Sequence, residues 1–345
     1  MLKIMAFPAQ GDSYTDCHYQ ALRKQGVQVI VGIFSLRWLL RNLWGIDYLH
    51  LHWPSFFYRN ASQAKSVVRF GKLCLLLALA RSYGVSIVWT AHNLYPHDKN
   101  SWPLLDRLSR QLITRMAAQI FVHGPAAARL VGSKFPATRG KLAVIWHGHW
   151  IDYYPRGCTK REARLKLEVP VDAYVYVFVG ACKEYKNLHE LIPTFQSMEG
   201  TAWLVIAGRF QSEEYQHQIE RLVAQKSAKI RFFREYIPDV ELQYYLAAAD
   251  IVVLPYAEIL TSGSAMLALS FGRPVIAPRR GFLEDVIVSK VGLLYDPSDP
   301  QRLATAMKEA QTLHFDEEEI LRHARHYDWE SSARTVAATL KQLHM

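Results

Sequence analysis

Apolar residues recur along this chain in two alternating rhythms. Short β-branched runs are continuous, and the longer stretches between them carry apolar residues at helical spacing. In the first half the runs Lys3–Phe7, Val27–Val31, Tyr48–Leu51, Ile87–Thr90, Gln119–Val122 and Leu142–Trp146 predict strands. Helical patterns fall between them, at 14–25, 35–44, 62–83, 102–117 and 124–133. The second half repeats the rhythm, with strands expected at Tyr174–Val179, Trp203–Ala207, Lys229–Phe232, Ile251–Leu254, Val275–Ala277 and Gly292–Tyr295. Strands that alternate with helices build βαβ units and a parallel sheet. Two such series predict an α/β protein of two doubly wound domains, with a joint near "DYYPRGCTKRE", 152–162, and a last helix over about 330–343. At 345 residues the chain exceeds one ordinary core, which agrees with two domains.

Charge changes the picture of the first half. Residues 1–160 hold 20 Lys and Arg against 6 Asp and Glu, whereas residues 161–345 hold 21 against 25. The excess positive charge therefore sits in the first half, which suits an acidic partner such as phosphate or anionic lipid. The basic residues form no nucleic-acid reading motif, so nucleic acid is not expected as a partner. "SLRWLLRNLW", 35–44, mixes Arg with Trp and Leu at helical spacing, as an interfacial membrane helix does. The alternative is a helix that covers the sheet with its apolar stripe inward. The longest apolar run, Leu73–Ala80, is too short to span a bilayer, and "MLKIMAF" lacks an apolar leader core. Four scattered cysteines without a C-x-x-C pair suit reduced thiols. The expectation is a cytoplasmic protein, peripheral at the inner face of the plasma membrane.

In open parallel sheets, ligands bind beyond the carboxyl ends of the strands. Loops after strands are therefore where chemistry is sought. "AEILTSGSAMLALSFGRPVIAP", 257–278, places Ser262, Gly263 and Ser264 at the start of a wholly apolar helix. The residues suit a helix cap, and equally an anion site built from unpaired N–H groups and the helix dipole. "FVGACKEYKNLHELI", 178–192, runs strand, Gly180, Lys183, Lys186, helix. Two lysines there could neutralise a diphosphate, and both loops follow strands of the same sheet. The first half has histidines at strand ends: His50 and His52, His92, His147 and His149. With no H-E-x-x-H, and with only Asp98 and Asp152 near in sequence, hydrogen bonding to a sugar hydroxyl or phosphate suits them better than metal. No D-x-D pair is present to hold a nucleotide-bound ion, so no metal is expected.

Several segments together resemble the GT-B glycosyltransferases, in particular the large group around family 4 and its bacterial exopolysaccharide-type branch. They are "YVYVFVGACKEYKNLHELIPTF", "YIPDVELQYYLAAADIVVLPY", "LALSFGRPVIAP", the first-half segments "HLHWP", "WTAHN" and "IWHGHWIDYY", and the closing "YDWESSA". The resemblance implies two Rossmann-like, doubly wound parallel-sheet domains facing across a cleft. Residues 1–156 would form the acceptor-side domain and 157–329 the donor domain. Residues 330–345 would be a closing helix packed back on the first domain. It implies a UDP- or GDP-linked sugar donor and a lipid-linked or oligosaccharide acceptor, with retention at the anomeric carbon and no cofactor.

By position, Lys186 matches the family's phosphate-binding lysine, and Lys183 supplies the charge that an arginine at Ala181 would give. His92 matches the histidine that contacts the donor sugar, and Gly11 lies in the loop of donor–acceptor contacts. The base is expected to be held by backbone groups around Arg234–Ile237. Asp12, Tyr14 and His52 fall on the acceptor side. The chain departs from the family at its paired donor-loop glutamates, whose positions are Ile259 and Leu267 here; Glu258, one residue off, is the substitute. Inversion would instead need a carboxylate base, at Asp12 or Asp16. Two other classes fit the same residues: a nucleotide- or sugar-phosphate-binding module without turnover, and a histidine-dependent metallohydrolase.

Overall fold

Twelve strands in two parallel sheets carry the structure. The computed structural model describes residues 1–33, 35–96, 102–225, 228–299 and 301–344. The chain divides into two compact units, one of residues 1–148 with 327–345 and one of residues 149–326.

In the first unit the strands are β1 (Lys3–Phe7), β2 (Gln28–Val31), β3 (Tyr48–Leu51), β4 (Ser86–Ala91), β5 (Gln119–His123) and β6 (Leu142–Ile145). They lie in the order β2-β1-β3-β4-β5-β6, and every pairing is parallel. β3 and β5 are buried at every residue, because helices cover both faces of the sheet; this is why they read as continuous apolar runs. The helix Trp329–His344 belongs to this unit. Its Ala333, Val336, Ala337 and Leu340 enter the same apolar cluster as Ile4, Ala6, Leu22, Tyr48, Val88 and Phe121. Tyr48 donates to the Leu340 carbonyl (2.7 Å), and Ser332 exchanges hydrogen bonds with the Trp146 backbone.

The second unit has β7 (Val175–Val179), β8 (Trp203–Ala207), β9 (Ile230–Phe233), β10 (Ile251–Val253), β11 (Val275–Pro278) and β12 (Gly292–Tyr295). Their order is β12-β11-β10-β7-β8-β9, again all parallel. Both sheets are doubly wound, as the alternation of elements predicts. In each, the strand order reverses at one point: between β1 and β3 in the first, and between β7 and β10 in the second. Such switch points open a crevice at the carboxyl edge of a sheet.

Strand and helix limits differ from the sequence reading by one or two residues. Thus β9 begins at Ile230 rather than Lys229, and β10 ends at Val253 before Pro255 breaks the pairing.

Candidate functional site

The switch point of the second sheet gathers three of the residues singled out above. Gly180 directly follows β7 and has φ +130°, a backbone shape that side chains rarely adopt. A Cβ on it would lie 3.2 Å from Lys186 Nζ and 3.5 Å from Ser264 Oγ. The missing side chain leaves a small space bounded by an ammonium and a hydroxyl. Gly208, after β8, keeps that turn tight, since a Cβ there would overlap the Gly180 carbonyl.

Lys186 ends a short 3-10 turn, Glu184–Lys186, and only 7% of it is exposed. Its Nζ lies 5.5 Å from the Phe178 ring centre and 5.3 Å from that of Tyr256. No carboxylate among the described residues pairs with it. Burial pulls the ammonium's pKa down, but the Tyr256 and Tyr185 side chains and the Cys182 thiol more than offset this and leave it raised. Lys186 is thus a buried ammonium packed against two aromatic rings.

Ser262 caps the helix Gly263–Ser270, its Oγ accepting from Ala265 N at 3.1 Å. Gly263 and Ser264 form the helix's first turn, whose N–H groups and dipole favour negative charge. The Thr261 Oγ1 is buried beside this turn in sequence without a hydrogen-bond partner among the described residues. Lys183 is half-buried in the same loop as Lys186, and Glu258 is exposed on the segment between β10 and the helix. Ile259 and Leu267 are half-buried.

A groove of about 670 Å³ lies beyond β9, lined among others by Phe233, Arg234, Tyr236, Ile237 and Tyr245. The exposed Arg234 side chain is ion-paired with Glu220 at 2.5 Å.

The first sheet carries a different chemistry at its carboxyl edge. His52 follows β3, His92 follows β4, His123 ends β5 and His147 lies two residues beyond β6. These four strands are neighbours, so the rings form a row with centres 5.2, 5.4 and 5.5 Å apart, close to the spacing of strands. Tyr14, from the helix Ser13–Lys24, sits over the row with ring centres 4.6 Å from His92 and 5.1 Å from His147. Trp53 stacks on His92 at 4.4 Å.

Hydrogen bonds link part of this set. The Tyr19 hydroxyl lies 2.8 Å from His50 Nδ1 and 2.6 Å from His52 Nε2, and His52 Nδ1 lies 2.9 Å from His92 Nε2. Thr90 Oγ1 lies 2.8 Å from His50 Nε2. Both nitrogens of His18 and of His123, and the Tyr14 hydroxyl, are buried without a hydrogen-bond partner among the described residues. Burial lowers the pKa of all six histidines, to about 4 for His18 and His147. They are neutral at pH 7. Among the described residues no three His, Cys, Asp or Glu are placed to hold a metal ion; Asp98 lies outside the described residues.

Gly11, with φ +101°, turns the chain after β1 and donates to Asp16 Oδ1 at 3.3 Å. Asp12 caps the following helix, with one oxygen accepting from Thr15 N and the other from Thr15 Oγ1.

Tyr19, Thr90, His18 and His123 were not found by sequence reasoning. A signal existed for His123: it stands at a strand end in "FVHG", as His52 and His92 do. None exists for Tyr19, whose role depends on which strands lie side by side beneath it.

Two doubly wound parallel sheets, with Gly180, Lys186 and Ser264 gathered at one switch point, define a class of fold. Residues 159–325 match the sequence model of the family described as glycosyl transferases group 1, and the chain carries a domain of that family. It is 29% identical over 252 residues to a GDP-mannose:glycolipid 4-beta-D-mannosyltransferase of Xanthomonas campestris, an alignment that covers 71% of this chain and 64% of that protein. It is 25% identical to the D-inositol 3-phosphate glycosyltransferase of Corynebacterium urealyticum, covering 90% of this chain and 69% of that protein. In fold it resembles HepE of Anabaena, solved with UDP-glucose, at a TM-score of 0.72 and 15% identity over 99% of this chain and 100% of that one. Sucrose-phosphate synthase from Thermosynechococcus elongatus gives a TM-score of 0.70 at 19% identity, covering 100% and 99% of the two chains. The architecture is GT-B.

Proposed function

We propose that the chain transfers a sugar from a nucleoside diphosphate sugar to a lipid-linked saccharide in the synthesis of a cell-surface glycan. The observation that carries this is the buried Lys186, without a carboxylate partner among the described residues, beside Gly180 and Ser264. Breaking the anomeric C–O bond leaves charge on a diphosphate, and preorganised donors at that charge supply the largest share of such catalysis. Lys186, with Lys183 in the same loop and the N–H groups of 263–264, is suited to hold the departing diphosphate without a metal. His92 would hydrogen-bond the transferred sugar, and Tyr14 and His52 would shape the acceptor side. Glu258 is the nearest carboxylate for the ribose or the sugar.

The Xanthomonas relative's name supports GDP as the nucleotide and a glycolipid as the acceptor. A thermal-shift panel of UDP, GDP and ADP, each with its sugars, tests the donor. A matched nucleotide at a hundred times its Kd should stabilise by about 2.7 kcal/mol. No shift with any of them would overturn the reading.

For stereochemistry we take retention, which asks for no base in the first unit. The two carboxylates in the turn and helix start after β1, Asp12 and Asp16, accept hydrogen bonds from Thr15 and Gly11. Inversion is the second reading: the mannosyltransferase relative is named for a β linkage, and a β product from an α-linked donor is an inversion. The one-bond carbon–proton coupling at the anomeric carbon of the product decides between them.

The membrane contact rests on the helix Leu36–Asn42. Its Leu39 and the following Leu43 are buried, which fixes the helix to the unit. Leu36, Leu40 and Trp44, four residues apart, are 41%, 47% and 87% exposed, beside the exposed Arg37 and Arg41. Apolar knobs flanked by arginines fit an anionic leaflet of the cytoplasmic face. No described helix is long and apolar enough to cross a membrane. The protein should sediment with phosphatidylglycerol vesicles and not with phosphatidylcholine, and Trp44→Ala should weaken this by about tenfold. Equal binding by the variant would remove the helix from the interface.

A further inference from the structure

We infer that Thr90, His50, Tyr19 and His52 form a one-way hydrogen-bond chain that fixes His92 as its Nδ1–H tautomer, and so as a donor rather than a base. Its use in sugar transfer rests on the function proposed above, but the tautomer does not.

The direction follows from counting hydrogens. The five groups are linked in series: Thr90 Oγ1 to His50 Nε2, His50 Nδ1 to Tyr19 Oη, Tyr19 Oη to His52 Nε2, and His52 Nδ1 to His92 Nε2. Each imidazole is neutral in this buried setting, so it carries one N–H and one lone pair. Tyr19 and Thr90 each have one hydroxyl hydrogen. Thr90 is wholly buried, and His50 Nε2 is its hydroxyl's one partner among the described residues. If Thr90 accepted from His50, its own hydrogen would be stranded in the interior. Buried donors are rarely left so.

Thr90 therefore donates, and every later bond is fixed. His50 accepts at Nε2 and donates from Nδ1. Tyr19 accepts that hydrogen and gives its own to His52 Nε2. His52 donates from Nδ1 to His92 Nε2. A Tyr19 that accepted from both histidines would strand its own hydrogen in the same way. His92 is left with its hydrogen on Nδ1, the tautomer less favoured by histidine in water. The ring is half-buried and its Nε2 is taken by His52, so the hydrogen on Nδ1 is the one left to offer. Nδ1 offers an N–H to an oxygen, such as a sugar hydroxyl or a phosphate oxygen. It cannot take a proton from an acceptor hydroxyl without charging a buried imidazole. Tyr19, His52, His50 and Thr90 are positioning residues for that donor.

Long-range ¹H–¹⁵N correlation spectra of the full chain labelled in histidine, at pH 7.5, test this without any substrate. The expected result is Nδ1–H for His50, His52 and His92. Thr90→Val removes the hydroxyl at constant shape; it should return His92 wholly or partly to Nε2–H and lower turnover about tenfold. Thr90→Ser should restore both. Tyr19→Phe should release His52 and His92 while His50 stays Nδ1–H, a pattern that general loosening would not give. Nδ1–H on His92 without glycosyl transfer would retain the chain and reject the function. Nε2–H on His92 in the unaltered protein, or an unchanged His92 tautomer in both variants, would overturn the inference.

Discussion

Replacing Lys186 with Met should lower turnover by on the order of a hundredfold or more, as for a lost preorganised electrostatic donor. The melting temperature should hold or rise. The two expectations share one cause. Lys186 is buried and has no carboxylate partner among the described residues, so its charge is dehydrated without an ion pair in return. The Phe178 and Tyr256 rings, with the Tyr185 side chain and the Cys182 thiol, offset that cost; a desolvated cation–π pair is worth about 2 kcal/mol. Methionine fills nearly the same volume and carries no charge. A residue kept for packing would show the opposite pattern, with stability lost and activity following it. Steady-state kinetics beside a melting curve separates the two, and near-normal turnover in Lys186→Met would sink the assignment. Affinity for the nucleoside diphosphate should fall as well, since the ammonium answers charge already present on the bound nucleotide.

Acid should unfold the first unit between about pH 6 and pH 4. Burial holds the pKa of His18 and His147 at about 4, and those of His50, His52, His92 and His123 well below the ordinary value. A histidine whose folded pKa lies below its unfolded value of about 6.5 binds fewer protons folded than unfolded across that window. Stability is therefore complete above about pH 6.5 and falls as pH drops toward 4. For His18 and His147 the fall reaches about 3 kcal/mol each, and the other four add to it in the same direction. Net stabilities are about 5–15 kcal/mol, so the set is large enough to unfold the unit. Repulsion between neighbouring imidazolium ions should sharpen the transition, because protonating one ring opposes the next until the structure opens. Melting curves recorded from pH 8 to pH 4.5 would show it as a steep decline beginning near pH 6. A flat profile over that range would mean the rings are hydrated or charged in the folded state.

Much of the fold was legible because both sheets are parallel and covered. Strands such as Val175–Val179 and Gln119–His123 are buried throughout and stand out as unbroken apolar runs. The order of the strands left no such trace, and order decides which loops meet. The pairing of Gly180–Lys186 with 262–264 could be suspected because both loops follow strands. Their closeness depends on β7 lying beside β10, which strand patterns do not encode. The histidines divide in the same way. His52, His92 and His147 show as strand-end residues, but a row exists only because β3 to β6 are adjacent. Tyr19 is legible only as one more buried position on an amphipathic helix, since its hydrogen bonds cross 31 and 33 residues of sequence.

The helix Trp329–His344 carries a consequence for how the chain comes into being. Ala333, Val336, Ala337 and Leu340 complete a core whose other members lie before residue 149. On a ribosome adding about 5–20 residues per second, the first unit waits on the order of ten seconds or more after Gly148 is made before those side chains exist. The second unit, continuous in sequence, can close in that interval. The part made first is then the part finished last, and until then an uncovered apolar face of the sheet stands open to the chaperones around it.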